Sequence, residues 1–530
     1  MVTTKIIQSK LKTSASMAFI AIYSVMSRGQ PTNPHQVEPV AQSSSNSTPV
    51  LYSEPAAPDV YQLVDSFLRW PIPAGGEVYA AIDGKQLHTF VVQQAEISRR
   101  FRDQGHPQYW GRITGSSADA ESAEWLLERF NQAGLTDVRI QPLPIPDPVW
   151  EPVQPWEISA TSGAKTLPLT SAQPPYLGAA APPGGMNLEA VYVGTGSEAD
   201  FLGRDVRGKA AIVYSVPLPA AVWQTAQSEG VYRRAEEKGA AALLVILALP
   251  GNFRVQGYPT RGKIPTFGLG MEDGYRLRNM IGEAPADQVP HIQIKFQTKM
   301  VSGEKTATVW GTLPGATNET IYIMAHRDGW FDGSGDNGSG VATMIGLAEY
   351  FAKVPQANRR RTIIFMGVSG HHGPSMSTQD LLARKTELFS KTALLINAEH
   401  TSTLQTYAYW EAIRWSNTYT AQYWYAGGPS RPRLQNIAIN AFHEFGVSTY
   451  AAPEKGAPRG DAIAFWPFLP VVTTTDANMY FHSDGETPET VPWTGLEATT
   501  RAYAKIIDDV NNLDLKDLQR PEEKVMSRSR

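Results

Sequence analysis

The chain has 530 residues, 42% of them hydrophobic, and a net charge of −4, so it can bury a large core and form more than one domain. The slight acidic balance excludes a generic nucleic-acid or anionic-membrane partner, either of which would require a basic surface. With no cysteine, thiolate metal ligands, cysteine nucleophiles and disulfides are all excluded.

In chain order, Lys5, Lys10 and Lys12 precede an apolar stretch at residues 17–26. That length suits the apolar part of an export signal and falls short of the roughly 20 residues a spanning helix needs. Residues 1–27 are expected to be a signal peptide, giving a secreted or periplasmic protein with no stable membrane insertion. Residues 28–58, rich in Ser, Pro, Asn and Gln, read as a disordered linker. A helical region is expected at 60–69, and a proline-rich passage runs from 142 to 183. Apolar runs at 190–193, 210–214 and 242–246 then read as strands, with a helix around 231–238.

The most informative stretch follows the apolar run 321–325, a buried strand by its composition and its glycine-rich border. It places His326 and Asp328 at the strand's carboxyl end, where open α/β sheets bind ligands. Val341, Ile345, Ala348 and Phe351 have helical spacing, so Asp336 and Asn337 lie in a loop that opens a helix over 339–352. Imidazole and carboxylates converging on one sheet edge suit a divalent transition metal such as zinc. A polar turn whose Asp and Asn only cap the helix is the competing reading.

Three more apolar runs end in the same kinds of residue. Residues 362–368 lead into Ser369, His371 and His372; residues 393–397 lead into Glu399 and His400; residues 469–473 precede Tyr480 and His482. Five of the ten histidines fall in these four segments, which weakens the view that each is a solitary structural histidine. A closing amphipathic helix is expected at 496–510, and residues 516–530 read as a flexible, charged tail.

The order His326-x-Asp328, Asp336-Asn337-x-Ser339-Gly340, a polar pair after a strand, Asn397-x-Glu399 and a late His482 resembles the two-zinc aminopeptidases and glutamate carboxypeptidases. Residues 112–116, 122–130 and 133–135 are similar to the amino-terminal part of that catalytic fold. Residues 187–295, with 208–213 and 236–242, look like the protease-associated domain often inserted there. The resemblance implies an α/β fold with a mixed central sheet flanked by helices, in two catalytic parts (59–186 and 296–515) around the smaller insert. It implies His326, Asp336, His372, Glu399 and His482 as ligands of one or two zinc ions or another divalent transition metal. Asp328 would orient a neighbouring histidine, Asp461 would lie near the substrate, and Trp330 and Tyr480 are further candidate substrate contacts, core packing being the alternative for the aromatics. Other Trp and Tyr residues at 407–425 are also candidates for an aromatic pocket.

The family's polar pair is normally Glu-Glu, a general base followed by a metal ligand; here it is His371-His372. Neutral imidazole can perform either task, but the exchange removes negative charge. Two divalent ions carry four positive charges, against three negative ones from Asp336, Glu399 and a hydroxide. An imidazole beside that excess resists protonation. The resemblance implies hydrolysis of an amide bond in a small peptide or N-acyl compound, with metal-activated water attacking the carbonyl and His371 moving the proton. A non-hydrolytic lyase or cyclase of the same fold, or a catalytically silent binding protein, are the alternatives. Gly367-Val-Ser-Gly-His371 lacks the closing glycine of a serine-hydrolase elbow, and Arg459-Gly-Asp461 is a chance adhesion tripeptide.

Overall fold

A computed structural model describes residues 69–215, 229–258, 262–409, 412–419, 423–427, 431–449, 457–476 and 478–518. The expected signal peptide, the linker, nearly all of the helical region at 60–69, Trp410 and residues 519–530 of the tail lie outside the described residues.

The central sheet has seven strands, numbered here in chain order: β1 (Thr136–Pro144), β2 (Lys305–Leu313), β3 (Thr320–His326), β4 (Thr362–Val368), β5 (Thr392–Ala398), β6 (Tyr423–Ala426) and β7 (Val471–Thr475). Their order is β6-β7-β5-β3-β4-β2-β1. The inner four, β7, β5, β3 and β4, are parallel, and the outer pairings are antiparallel. Parallel strands covered on both faces read as unbroken apolar runs, and every residue of β5 is buried. Along β3, Ile321, Ile323 and Ala325 enter one core with α1 (Gly84–Asp103), α2 (Ser117–Gln132), α3 (Gly340–Ala352) and α4 (Trp493–Asn511). Tyr322 and Met324 face the opposite core with Leu381, Phe389 and Phe465, the two-residue alternation of a strand. The register pairs His326 with Val368 and Ala398 with Thr474. The parallel strands therefore end level, and the segments that follow them meet on one edge. Among the described residues no helix is long and apolar enough to cross a membrane.

A second seven-stranded sheet has the order Lys165–Pro168, Glu157–Ser162, His291–Lys295, Met186–Tyr192, Ala210–Ser215, Ala242–Leu247, Thr266–Leu269. It starts within the proline-rich passage, so the boundary expected at 187 falls inside this sheet. Prolines do not prevent strands there because they stand where no ladder donor is needed: Pro142 and Pro144 lie in β1, at the edge of the central sheet, and Pro168 ends its strand. One strap of this module, residues 252–258, reaches the central domain. Val255 forms a bridge with Ser483, the Gln256 N–H donates to the His482 carbonyl at 2.8 Å, and the Asp484 N–H donates to the Arg254 carbonyl at 3.1 Å.

Candidate metal centre

Asp336 sits just before α3, 1% exposed, and four imidazoles surround its carboxylate. Nε2 of His326 and of His400 lie 3.1 and 3.2 Å from Oδ1; Nε2 of His372 and of His482 lie 3.0 and 2.9 Å from Oδ2. The loop is held in place by Arg112, fully buried, whose guanidinium donates to the carbonyls of Arg327, Asp332 and Gly333 at 2.7, 2.7 and 2.9 Å. Asn337 ties the same loop to the end of β5: its Nδ2 donates to the Ala398 carbonyl at 2.9 Å, and its Oδ1 accepts from the His400 N–H at 3.1 Å.

The arrangement fits a cation. Oδ2 of Asp336, Nε2 of His372 and Nε2 of His482 stand 2.9–3.2 Å from one another, the edge lengths of one face of a tetrahedron around an ion about 2 Å from each donor. Nε2 of His326 and Oδ1 of Asp336 are buried without a hydrogen-bond partner, which is costly for polar atoms unless something positive lies between them. His326, His371 and Glu399 form a second, overlapping group of donors within 4.8 Å of one another. Electrostatics agree. Burial would raise the Asp336 carboxyl, but His372 and His400 outweigh it and hold the group well below the usual carboxylate range. Burial drives the His482 imidazole down to about 3, which keeps its lone pair free. At His400 burial is outweighed by Asp336, Glu399 and Glu486, and its pKa rises to about 9; that corner draws positive charge. Glu486 accepts the Asp336 and His482 N–H groups at 3.0 and 3.2 Å, and burial with the Asp336 charge lifts its carboxyl to about 8.

His371 stands beside this cluster, its ring stacked on His326 with centres 4.2 Å apart. Its Nδ1 lies 3.1 Å from Oδ1 of Asp461, and its Nε2 lies 3.4 Å from the hydroxyl of Tyr258. Burial disfavours its protonated form, yet Asp461 and Tyr258 override that and raise its proton affinity well above the ordinary value.

The other expected site residues take the following places. Asp328 holds His326 through its backbone carbonyl, which accepts from His326 Nδ1 at 3.1 Å, while its carboxylate lies 3.7 Å from that nitrogen and 3.6 Å from His372 Nδ1. The same carboxylate accepts the N–H groups of Gly370, His371 and His372 at 3.0, 3.3 and 2.9 Å and the Thr114 hydroxyl at 3.2 Å. Burial opposes its ionisation, but His326, His372 and His371 prevail and hold it at about 2. Asp461 contacts the candidate base His371. Trp330, 3% exposed, backs the ligand rings, 4.3 Å from His372 and 4.7 Å from His482. Tyr480 packs edge-on against Phe253 of the strap at 5.2 Å. Glu399 accepts from Asn397 Nδ2 at 2.6 Å and from the Asp461 N–H at 3.3 Å.

The sequence offers His400 as a strand-end histidine without placing it in the ligand set, and it does not single out Tyr258, Glu486 or Arg112. His400 carried the same signal as its neighbours, a histidine just past a strand end, and was passed over because the resemblance reserved that place for Glu399. Tyr258 lies 113 positions from His371, and nothing local announces it.

Residues 308–507 match the profile of peptidase family M28. They form an M28 peptidase domain. Solved structures similar in fold are a peptidase M28 precursor from Shewanella amazonensis (15% identity, 88% of this chain and 99% of that one, TM-score 0.64), the zinc aminopeptidase BSAP from Bacillus subtilis (18%, 80% and 94%, 0.56) and an aminopeptidase from Aneurinibacillus sp. (16%, 84% and 96%, 0.53). No curated protein matches the chain. The M28 domain and its fold support a metal-dependent peptide hydrolase and do not favour the lyase, cyclase or silent binding protein.

Proposed function

We propose that this M28 domain hydrolyses peptide bonds with a His371–Asp461 pair in place of the usual glutamate base. The reading rests on one observation: His371, held at Nδ1 by Asp461, stands against the donor cluster around Asp336. His326, Asp336, His372, His482 and an acid or imidazole from the end of β5 would hold one or two zinc ions. Zinc bound there would polarise the scissile carbonyl and acidify the attacking water. The chain's own residues do the rest. Asp461 accepts the proton on Nδ1 of His371 and so fixes the tautomer whose Nε2 can take a proton. Nε2 receives it from the nucleophile and returns it to the departing amine. Trp330 and Tyr258 shield the imidazoles from water, with ring centres 5.6 Å apart, which strengthens every charge interaction between them.

Short peptides are the proposed substrates, with N-acyl compounds sharing the same bond chemistry. The second sheet is proposed to be a protease-associated module, and the amino-terminal pattern a signal for export. The test is hydrolysis of short peptide amides by the untreated protein, by the protein stripped with chelator, and by His371→Ala. Chelation and His371→Ala should each abolish turnover, with metal retained in the variant. Full activity in a metal-free preparation would refute the reading.

A further inference from the structure

We propose that His400, in place of Glu399, completes the ligand set that His326 and Oδ1 of Asp336 provide. Each ion would then have two imidazoles and one oxygen of a shared carboxylate: His326 and His400 on Oδ1, His372 and His482 on Oδ2. The inference rests on the metal-dependent reading above and concerns which side chains make the site.

Four observations carry it. Nε2 of His400 lies 3.2 Å from Oδ1 of Asp336, matching the 3.1 Å of His326 on the same oxygen. Its Nδ1 lies 2.5 Å from the Asp476 carbonyl. A carbonyl only accepts, so Nδ1 bears the proton and Nε2 turns its lone pair toward Asp336; the Asp328 carbonyl fixes His326 in the same tautomer. Such a hydrogen bond on the far nitrogen is the usual support of a metal-bound histidine. His400 and His482 have φ of 45° and 61°, a left-handed conformation that residues other than glycine seldom adopt and that clusters at functional sites. Finally, the single side chain of Asn337, next to Asp336, receives the His400 N–H and donates to the Ala398 carbonyl, so the two loops are keyed to each other at this point.

One oxygen of Glu399 is engaged elsewhere. Its Oε2 accepts from Asn397 and from the Asp461 N–H, and the carboxylate lies so close to Gly460 that an added Cβ there would stand 1.9 Å from Oε2. It remains near His326 and His371, where its charge acts on the base. Four imidazoles and one carboxylate suit a divalent transition ion of the imidazole-preferring group, zinc among them, and not magnesium or calcium.

The experiment is elemental mass spectrometry of the full protein purified without chelator, as wild type, His400→Ala and Glu399→Gln, with X-ray absorption at the metal edge of the wild type to count imidazoles. The wild type should carry about two ions with about two imidazoles each. His400→Ala should fall to about one ion, and Glu399→Gln should keep both. If His400→Ala does not fold, the imidazole count and Glu399→Gln decide the matter. Loss of an ion from Glu399→Gln with none from His400→Ala would overturn the assignment, as would a count of about three imidazoles over the two ions instead of about four. A wild type devoid of metal would instead overturn the metal-dependent reading and this inference with it.

Discussion

Replacing Asp461 with Asn keeps the shape of the side chain and removes its charge from His371. The two groups are 3.1 Å apart, each with its side chain 13% exposed. At an effective dielectric constant near 20, unit charges at that distance attract by about 5 kcal/mol; after the cost of desolvation, a hydrogen bond to a charged group is worth about 1.5–3 kcal/mol net. Taking about 2 kcal/mol, kcat/KM should fall roughly 30-fold, with metal content unchanged. The direction of the pH effect follows from the sign of the shift. Asp461 raises the proton affinity of His371, and the base works only when unprotonated, so the acid limb of the kcat/KM profile should move to lower pH in Asp461→Asn. A chromogenic peptide amide assayed across the pH range measures both quantities. Unchanged kcat/KM, or a limb that moves to higher pH, would refute the dyad.

Gly460 has φ +64°, and an added Cβ would meet the Glu399 carboxylate at 1.9–2.2 Å; Gly460→Ala should cost about 1–3 kcal/mol in a urea titration and displace Glu399, lowering turnover. Arg112→Met should leave the buried carbonyls of Arg327, Asp332 and Gly333 without their donor, destabilising the fold by at least about 3 kcal/mol and loosening metal retention on dialysis; a wild-type urea midpoint would count against the clamp. Tyr258→Phe keeps the ring contacts with Trp330 and His482 and removes only the hydroxyl beside His371, so kcat should drop about 5-fold or more while thermal stability stays unchanged, as read by calorimetry.

The sheet edge was readable because β3, β4, β5 and β7 are short apolar runs, each followed within ten residues by histidine or acid, and a parallel sheet aligns such endings. The helix after the glycine-rich loop was readable from its spacing; the structure starts it at Gly340. What could not be read were contacts between distant segments. Asp461 and Tyr258 reach His371 from two loops with no shared pattern, and which of Glu399 and His400 turns toward Asp336 depends on a left-handed backbone at His400 that composition does not encode. The contact of Tyr480 with Phe253 of the other module was equally unreadable, whereas His482, two residues on, stands at Asp336.

The grip of Asp328 on residues 370–372 is made through peptide N–H groups, and these are identical on every residue except proline. The backbone position of residues 371 and 372 is therefore held independently of their side chains. A change of side chain at 371 and 372 leaves the donors of that grip in place. The two positions behave as a socket, and the chemistry fitted into it can change while the scaffold does not.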